Sequence, residues 1–511
     1  MTQPTAREQD LVAQLARMTS ERDAALIENR LLRQKLDALA RRIFGKKSEQ
    51  LNENQLLLLL QEAEAPGPAL GKGYGPEALA TQPPRPKRPK RSTSPRIPEH
   101  LPVVEEVIVP EPVKAAPELW RKIGEEVSEQ LDFEPARFLR RRLVRPKYVR
   151  RGDVDAVPVV APLPPVLQER CIAAPGLMAH ILVGKYQDHL PLYRQEGIYW
   201  SRHQISLPRQ SMSRWVELAA EWLRPIYEAI GEEVFRGGYV QVDESPIRYL
   251  EPGHGKTRTG YLWVANRPGV ETFYQWQTSR SAACLKELVP DGFEGTLQAD
   301  GYAAYPSFLK GRMKIALAGC WAHARRGFFE SQQEAPRVIG FILRQIQHLY
   351  GIESRLREER AGPRLREAVR QAESRPIIER LHRILLRLRT RRSILPQSGL
   401  GRALEYSLGQ WAALQVYLGD GLVEIDNNSC ERKIRPTAVG KKNWLFVGEA
   451  TAGQRSAVIY TIIESCRAHG LDSYTYLREV LTRLPASTNW QVAHLTPAAW
   501  AKTKTVSRSA A

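Results

Sequence analysis

Gly238-Tyr-Val-Gln-Val-Asp-Glu-Ser-Pro246 is the stretch on which the fold turns. Its tyrosine and valines alternate as the buried face of a strand does, so the strand delivers the carboxylate of Asp243 at the point where it leaves the sheet. Thr296-Leu-Gln-Ala-Asp300 repeats the device. Asp426-Asn-Asn428 supplies helix-capping residues and places Glu431 in the first turns of a helix continuing through Arg432. Two strands and a helix can aim three acids at one point.

Between the first two acids the order of elements is readable. Pro252-Gly-His-Gly-Lys-Thr-Arg-Thr-Gly260 contains the Gly-Lys-Thr of a phosphate-binding loop, but Leu250 stands where that pattern needs a glycine. We read it as a basic hairpin loop. Tyr261-Leu-Trp-Val-Ala265 and Glu271-Thr-Phe-Tyr-Gln-Trp276 supply two further strands, and a helix near Ala282 to Leu288 precedes the Asp300 strand. Three consecutive strands, a helix and another strand is the order of a ribonuclease-H-like domain. Hard oxygen ligands suit Mg²⁺, and two such ions about 3.5 to 4 Å apart activate an attacking oxygen and stabilise a leaving one. The plainer reading is three ordinary acids among the 56 in the chain.

Composition narrows the partners. At 511 residues the chain exceeds one ordinary core, and about three domains is the prior. Its 75 Lys and Arg against 56 Asp and Glu leave a net charge of +19, which favours a polyanionic partner. Five scattered cysteines, Cys171, Cys284, Cys320, Cys430 and Cys466, form no C-x-x-C pair and fit a reducing cytoplasm. The sequence has no signal-peptide pattern and no apolar run of membrane-spanning length, so neither export nor membrane insertion is expected.

Towards the N-terminus, Leu11, Met18, Ala25, Leu32 and Leu39 recur every seven residues, and Leu15, Arg22, Asn29, Leu36 and Ile43 form a companion seam. We expect a coiled coil over 1–64 and self-association through it; an intramolecular hairpin is the alternative. Residues 65–99 form a Pro-rich linker with a basic run at Arg85-Pro-Lys-Arg-Pro-Lys-Arg91. In 100–160, Arg137, Arg140, Arg141, Arg142, Arg145, Lys147, Arg150 and Arg151 crowd around Phe138 and Tyr148, a composition suited to phosphate contact. Residues 161–236 read as helical, and Ser206 to Val216 suits a turn into a recognition-like helix, with a helical spacer burying Trp215 as the alternative.

The stretches Val242-Asp-Glu-Ser-Pro246, Gly255-Lys-Thr-Arg-Thr-Gly-Tyr-Leu-Trp263, Gln298-Ala-Asp-Gly-Tyr302, Gly319-Cys-Trp-Ala-His-Ala-Arg-Arg326, Asp426-Asn-Asn-Ser-Cys-Glu-Arg432 and Gly440-Lys-Lys-Asn-Trp-Leu-Phe446 together resemble bacterial transposases of the insertion-sequence 66 family. The resemblance runs in order from the coiled coil to near Leu484. It implies a multidomain α/β protein whose DDE-type catalytic core is ribonuclease-H-like, with a helical insertion, an N-terminal coiled coil and a mostly helical DNA-binding region. The core would occupy 237–334 and 419–484, interrupted by the insertion at 335–418 and followed by a tail at 485–511.

The resemblance carries the catalytic and metal-binding acids onto Asp243, Asp300 and Glu431, with Glu244, Glu424 and Asp426 as rivals. It implies two Mg²⁺ ions, cleavage at the ends of an element and joining to target DNA. A Mg²⁺-dependent nuclease on the same core and a catalytically dead DNA-binding regulator are the other readings. Residues expected near DNA are Lys256, Arg258, Arg325, Arg326, Arg432, Lys441, Lys442 and Trp444, the last with a core role as its alternative. Cys320 and His323 form a lone C-x-x-H pair, better suited to packing and to orienting the site than to zinc. Paired cysteines normally flank the family's Ile123 to Tyr148 region; here Lys114-Ala-Ala-Pro-Glu118 and Val149-Arg-Arg-Gly-Asp153 stand in their places, so no zinc is expected. The expected partners are terminal repeats, target DNA, a second copy of the chain and accessory proteins of the same element. The expected location is the bacterial cytoplasm, at the nucleoid.

Overall fold

The arginines crowded after Glu134 lie on a strand where most of their charge is answered. In this computed structural model β1 (Val103–Val107) runs parallel to β3 (Arg137–Arg150), which forms a long antiparallel hairpin with β2 (Trp120–Glu134); β4 (Val159–Val160) pairs with β3. Arg140 and Arg142 each bond Glu129 at 2.9 Å, Arg145 and Lys147 pair with Glu126, and Arg141 reaches Glu106 at 3.1 Å. Opposite charges across a ladder stabilise the sheet. Five of the basic residues read as suited to phosphate contact are thus ion-paired within the sheet.

The structure describes residues 101–134, 137–150, 157–251 and 255–509, together with Met18, Ile97, Glu99 and Gly253. The chain has two compact units, Met1–Thr93 and Ser94–Ala511. The expected coiled coil, Met18 aside, and nearly all of the basic linker lie outside the described residues.

Residues 161–236 are helical where regular, as expected. α1 (Pro175–Tyr186) and α2 (Leu192–His203) lead through a turn, with Gln204 at φ +55°, into α3 (Arg209–Phe235). The stretch weighed as a recognition helix opens this 27-residue helix, and Met212, Trp215, Val216, Ala219 and Leu223 on it are buried. Trp215 is a core residue.

The stretch opened at Gly238 becomes β5 (Tyr239–Leu250), and it is buried on both faces as far as Val242. Val240 and Val242 join one core, Ile247 and Tyr249 the opposite one. Alternation along a strand therefore puts Asp243 on the face of Gln241 and Glu244 on the face of the valines. β5 pairs antiparallel with β6 (Thr257–Arg267), and β6 with β7 (Glu271–Gln277). The Gly255 segment is the hairpin loop expected, with Gly253 and Gly255 at positive φ. After α4 (Ala282–Leu288), β8 (Gly295–Gln298) joins β5 in parallel; then α5 (Ala304–Leu309) leads to β9 (Ile315–Ala318), which joins β8. The strand order is β7-β6-β5-β8-β9.

α6 (Trp321–Glu330) opens a helical block of α7 (Pro336–Glu358), α8 (Pro363–Val369), α9 (Arg375–Arg389), α10 (Gly399–Gly409) and α11 (Trp411–Gln415). Ile339, Ile342, Ile346, Leu349, Leu381 and Leu385 build its core. A π-helical turn at Arg370–Ser374 joins α8 to α9. It carries a fully buried arginine: Arg370 donates to both Glu353 oxygens at 2.7 and 2.8 Å and to the Tyr417 and Asp420 carbonyls.

The chain returns through α12 (Asn428–Trp444) to β10 (Phe446–Glu449), which pairs parallel with β5 at Arg248 and Leu250. α13 (Ala450–Ala468) then crosses β7 at Gly453, where a Cβ would collide with the Trp276 indole. α14 (Ser473–Arg483) and α15 (Pro497–Ser509) complete the fold. The segment expected as a C-terminal tail is docked instead. Val492, Leu495 and Trp500 enter the main core, and Tyr476 Oη donates to the Leu495 carbonyl at 2.6 Å. Among the described residues no helix is long and apolar enough to cross a membrane.

Candidate active site

β8 accompanies β5 only from Tyr239 to Gln241, and β10 only at Arg248 and Leu250. Between them that edge of β5 has no strand beside it, and Asp243 lies in the gap. Places where the strands of an α/β sheet part are where ligands bind. Asp300 follows the end of β8, two residues beyond Gln298. α12 packs on β5 and β6 and carries Glu431 in its first turn, where the helix N-terminus favours an acid. The helix start was legible, and the bond at its opening comes from within the Asp426-Asn-Asn428 stretch. Asn427 makes no cap bond, and the Asp426 carboxylate accepts from the Asn428 backbone N–H at 3.1 Å.

Asp243 feels both other acids. Its carboxyl is pushed up to about 8, first by burial and then by the charge of Glu244, with Asp300 and Glu431 adding to the rise. Asp243 Oδ1 accepts from the Glu244 N–H at 2.8 Å, and Asp300 Oδ1 from the Tyr302 N–H at 3.0 Å. Tyr406 Oη donates to the Asp300 carbonyl at 2.5 Å. Glu431 Oε1 is buried without a hydrogen-bond partner; His323 Nε2 stands 3.8 Å from it, and Arg326 Nη2 is 4.0 Å from Oε2. A cavity of about 370 Å³ opens beside these groups, lined among others by His323, Arg326, Arg402 and Tyr406. No group of three or more His, Cys, Asp or Glu side chains among the described residues is set to hold a metal ion.

The rival acids are engaged elsewhere. Glu244 is ion-paired with Arg280 and accepts from Tyr305 Oη at 3.1 Å; burial nonetheless raises its carboxyl above the ordinary value. Glu424 pairs with Arg366 at 3.0 Å and Arg357 at 3.3 Å. Asp426 accepts from Tyr350 Oη and Asn428 Nδ2, both at 2.8 Å.

The expected DNA-facing residues separate into groups. Arg326 flanks Glu431, and Arg432 is exposed beside it in sequence. Lys441 Nζ donates to the Pro246 carbonyl at 3.2 Å, its ammonium lowered by burial and then by Lys442, which is exposed. Trp444 is half-buried against the main core. Arg325 lies over the Phe329 ring at 5.6 Å. Lys256 and Arg258 sit at the far end of the β5–β6 hairpin, where Tyr249 faces Arg258, about 20 Å along the strand from Asp243. Arg258 is ion-paired with Glu251.

Cys320 is buried before α6, its thiol pushed up to about 12 by burial. The sequence reading passed over Arg280, whose guanidinium stacks 3.7 Å from the Tyr302 ring while holding Glu244. Ser279-Arg-Ser281 carries no signal that would have found it.

Residues 170–455 match the sequence pattern of the family described as Transposase IS66 family, residues 461–498 the IS66 C-terminal element, and residues 31–105 a pattern described as Transposase C of IS166 homeodomain. Three similar proteins come from Sinorhizobium fredii (strain NBRC 101917 / NGR234), each described only as an uncharacterized protein. Protein y4jD is 34% identical over 408 residues, spanning 76% of this chain and 78% of its own length. Protein y4qI is 34% identical over 474 residues, spanning 88% and 85%. Protein y4hP is 29% identical over 405 residues, spanning 74% and 71%. With these patterns following one another from residue 31 to residue 498, the chain belongs to the IS66 family of transposases, proteins of DNA transposition.

Proposed function

We propose that this protein cleaves the ends of an insertion sequence and joins them to target DNA, using Asp243, Asp300 and Glu431 on a ribonuclease-H-like core. The observation that carries the proposal is positional: acids from two strand ends and a helix start come near enough that, after burial and Glu244, the charges of Asp300 and Glu431 add to the rise of Asp243, while Glu244, Glu424 and Asp426 are bound to cations or hydroxyls. The strand order, three antiparallel strands followed by two parallel ones, supports the core assignment.

The donor chemistry fits a hard divalent cation, since all three groups are carboxylates and Glu431 Oε1 is buried without a hydrogen-bond partner. The side chains are not drawn up around one point, so the fit rests on chemistry and charge. Two Mg²⁺ ions bound by these acids would supply activation of an attacking oxygen and stabilisation of a leaving one. The chain's own residues do the rest. Arg326, beside Glu431 and more than half exposed, is placed to hold a phosphate oxygen. His323 packs against Glu431 and limits where its carboxylate can turn. The Tyr302 N–H and Tyr406 Oη fix Asp300 and its backbone at the cavity rim.

Asp243→Asn tests the proposal. Mg²⁺-dependent end cleavage should disappear while DNA binding persists, and full cleavage by this variant would sink the assignment. Labelled DNA ends separate the readings: joined product supports transposition by this site, cleavage without joining a nuclease, and retention without either a DNA-binding regulator.

A further inference from the structure

Glu431 lies 131 residues beyond Asp300, after the whole helical block. Something must hold the start of α12 against the strand ends. Two glutamines are placed to do this, each two residues before an acid: Gln241 before Asp243 on the same face of β5, and Gln298, the last residue of β8, before Asp300. They are register partners in the parallel β5–β8 pair, and both are completely buried.

Their amides bond across to each other, Gln241 Nε2 to Gln298 Oε1, at 3.0 Å. Outward they grip the backbone leading to Glu431. Gln241 Nε2 donates to the Asp426 carbonyl at 2.9 Å, and Gln241 Oε1 accepts from the Cys430 N–H at 3.1 Å. Gln298 Nε2 donates to the carbonyls of Glu424 at 2.8 Å and Gly319 at 2.9 Å. Tyr239 Oη closes the ring, donating to Gln298 Oε1 at 2.5 Å and accepting from the Glu424 N–H at 3.0 Å. Asn266 extends it, donating to Gln241 Oε1 and to Ser429 Oγ. Backbone at 424, 426 and 430 is thus held by side chains from the two strands that carry the other acids. Buried amide networks of this kind are rigid because any slip leaves polar atoms without partners.

We infer that Gln241 and Gln298 form an amide clasp that sets Glu431 against Asp243 and Asp300. Both are positioning residues for the proposed reaction, and the inference rests on that reading. The clasp also explains how a large helical block can stand between the second and third acids without loosening the third.

The test uses the full chain. Gln241→Met and Gln298→Met keep side-chain length and remove every amide bond. Gln195→Met is the control, because Gln195 is a buried amide bonded to Leu190 and Tyr199 outside the network. Mn²⁺ binding by calorimetry, DNA-end affinity and thermal stability are measured with end-cleavage rate against Mg²⁺ concentration. The clasp variants should bind Mn²⁺ about 10-fold or more weakly, as loss of outer-shell support typically does, and need correspondingly more Mg²⁺ for cleavage, with DNA-end affinity kept. The control should lose stability alone. If a methionine variant does not fold, Gln241→Asn, which shortens the amide reach by one methylene, carries the same readout.

Unchanged Mn²⁺ affinity in the clasp variants, or an equal loss in the control, overturns the inference. If wild type binds Mn²⁺ and cleaves, Asp243→Asn does neither and the clasp variants match wild type, only the clasp fails. If wild type itself does neither, the three-acid reading fails and the clasp with it.

Discussion

At the scale of single residues, Asp243 carries a measurable signature apart from activity. Its folded carboxyl keeps a proton up to about pH 8, against an ordinary value of 3.8. Between those values the folded state holds a proton that the unfolded state has released, so stability falls as pH rises, levelling off above about 8. Asp243→Asn removes the titrating group. In EDTA, the thermal midpoint of this variant should therefore gain on wild type from about pH 4 to 8; parallel profiles would contradict the raised carboxyl. Cation binding should release a proton over the same window, read as a buffer-dependent heat in calorimetry. Strand alternation alone made Asp243 and Asp300 visible in the sequence. Periodicity does not separate Asp243 from Glu244, which only the motif resemblance ranks; that Arg280 and Tyr305 engage Glu244 on the opposite face appears only in the fold.

At the scale of elements, the sharpest case is the joint between α8 and α9. Arg370 and Glu353 are wholly buried and fork to fork, and Arg370 also holds carbonyls at 417 and 420 on the path back to α12. Removing Arg370 leaves the buried Glu353 with Arg366, at 3.2 Å, as its remaining cation and strips the carbonyls at 417 and 420 of their donor. Arg370→Met should cost about 3–5 kcal/mol, and pairing it with Glu353→Met should recover much of that loss. Chemical denaturation of the single and double variants decides it, and a double variant no better than the single would show that the charges do not act as a pair. The β5–β6 hairpin was legible because one missing glycine ruled out a phosphate loop and the flanking strands had period two. The ion pairs of β3 were not. Arg140 meets Glu129 and Arg145 meets Glu126 only through the hairpin register, which composition does not encode.

For the whole molecule, a net charge of +19 and the heptads of the first 45 residues bear on assembly. We expect self-association through the segment 1–64. Sedimentation of the full chain should give a mass above the 57.9 kDa of one copy, and removal of residues 1–64 should return that of a single copy. A full chain that sediments as a monomer would end the coiled-coil reading. The apolar seam would bury only against another helix, and its Asn29 would fix register at a cost in stability.

The sequence by itself determined the strands and helix start that carry three acids, the basic hairpin and the family. These depend on local periodicity, turn chemistry and motif identity, all of which are written along the chain. Tertiary structure alone decided which carboxylates are engaged by cations, that the arginines of β3 face glutamates, that Trp215 is core and the C-terminus docked, and that two amides hold the third acid in place. Each of these depends on pairings between residues far apart in sequence. Their energies are set by burial and register, and neither exists until the chain has folded.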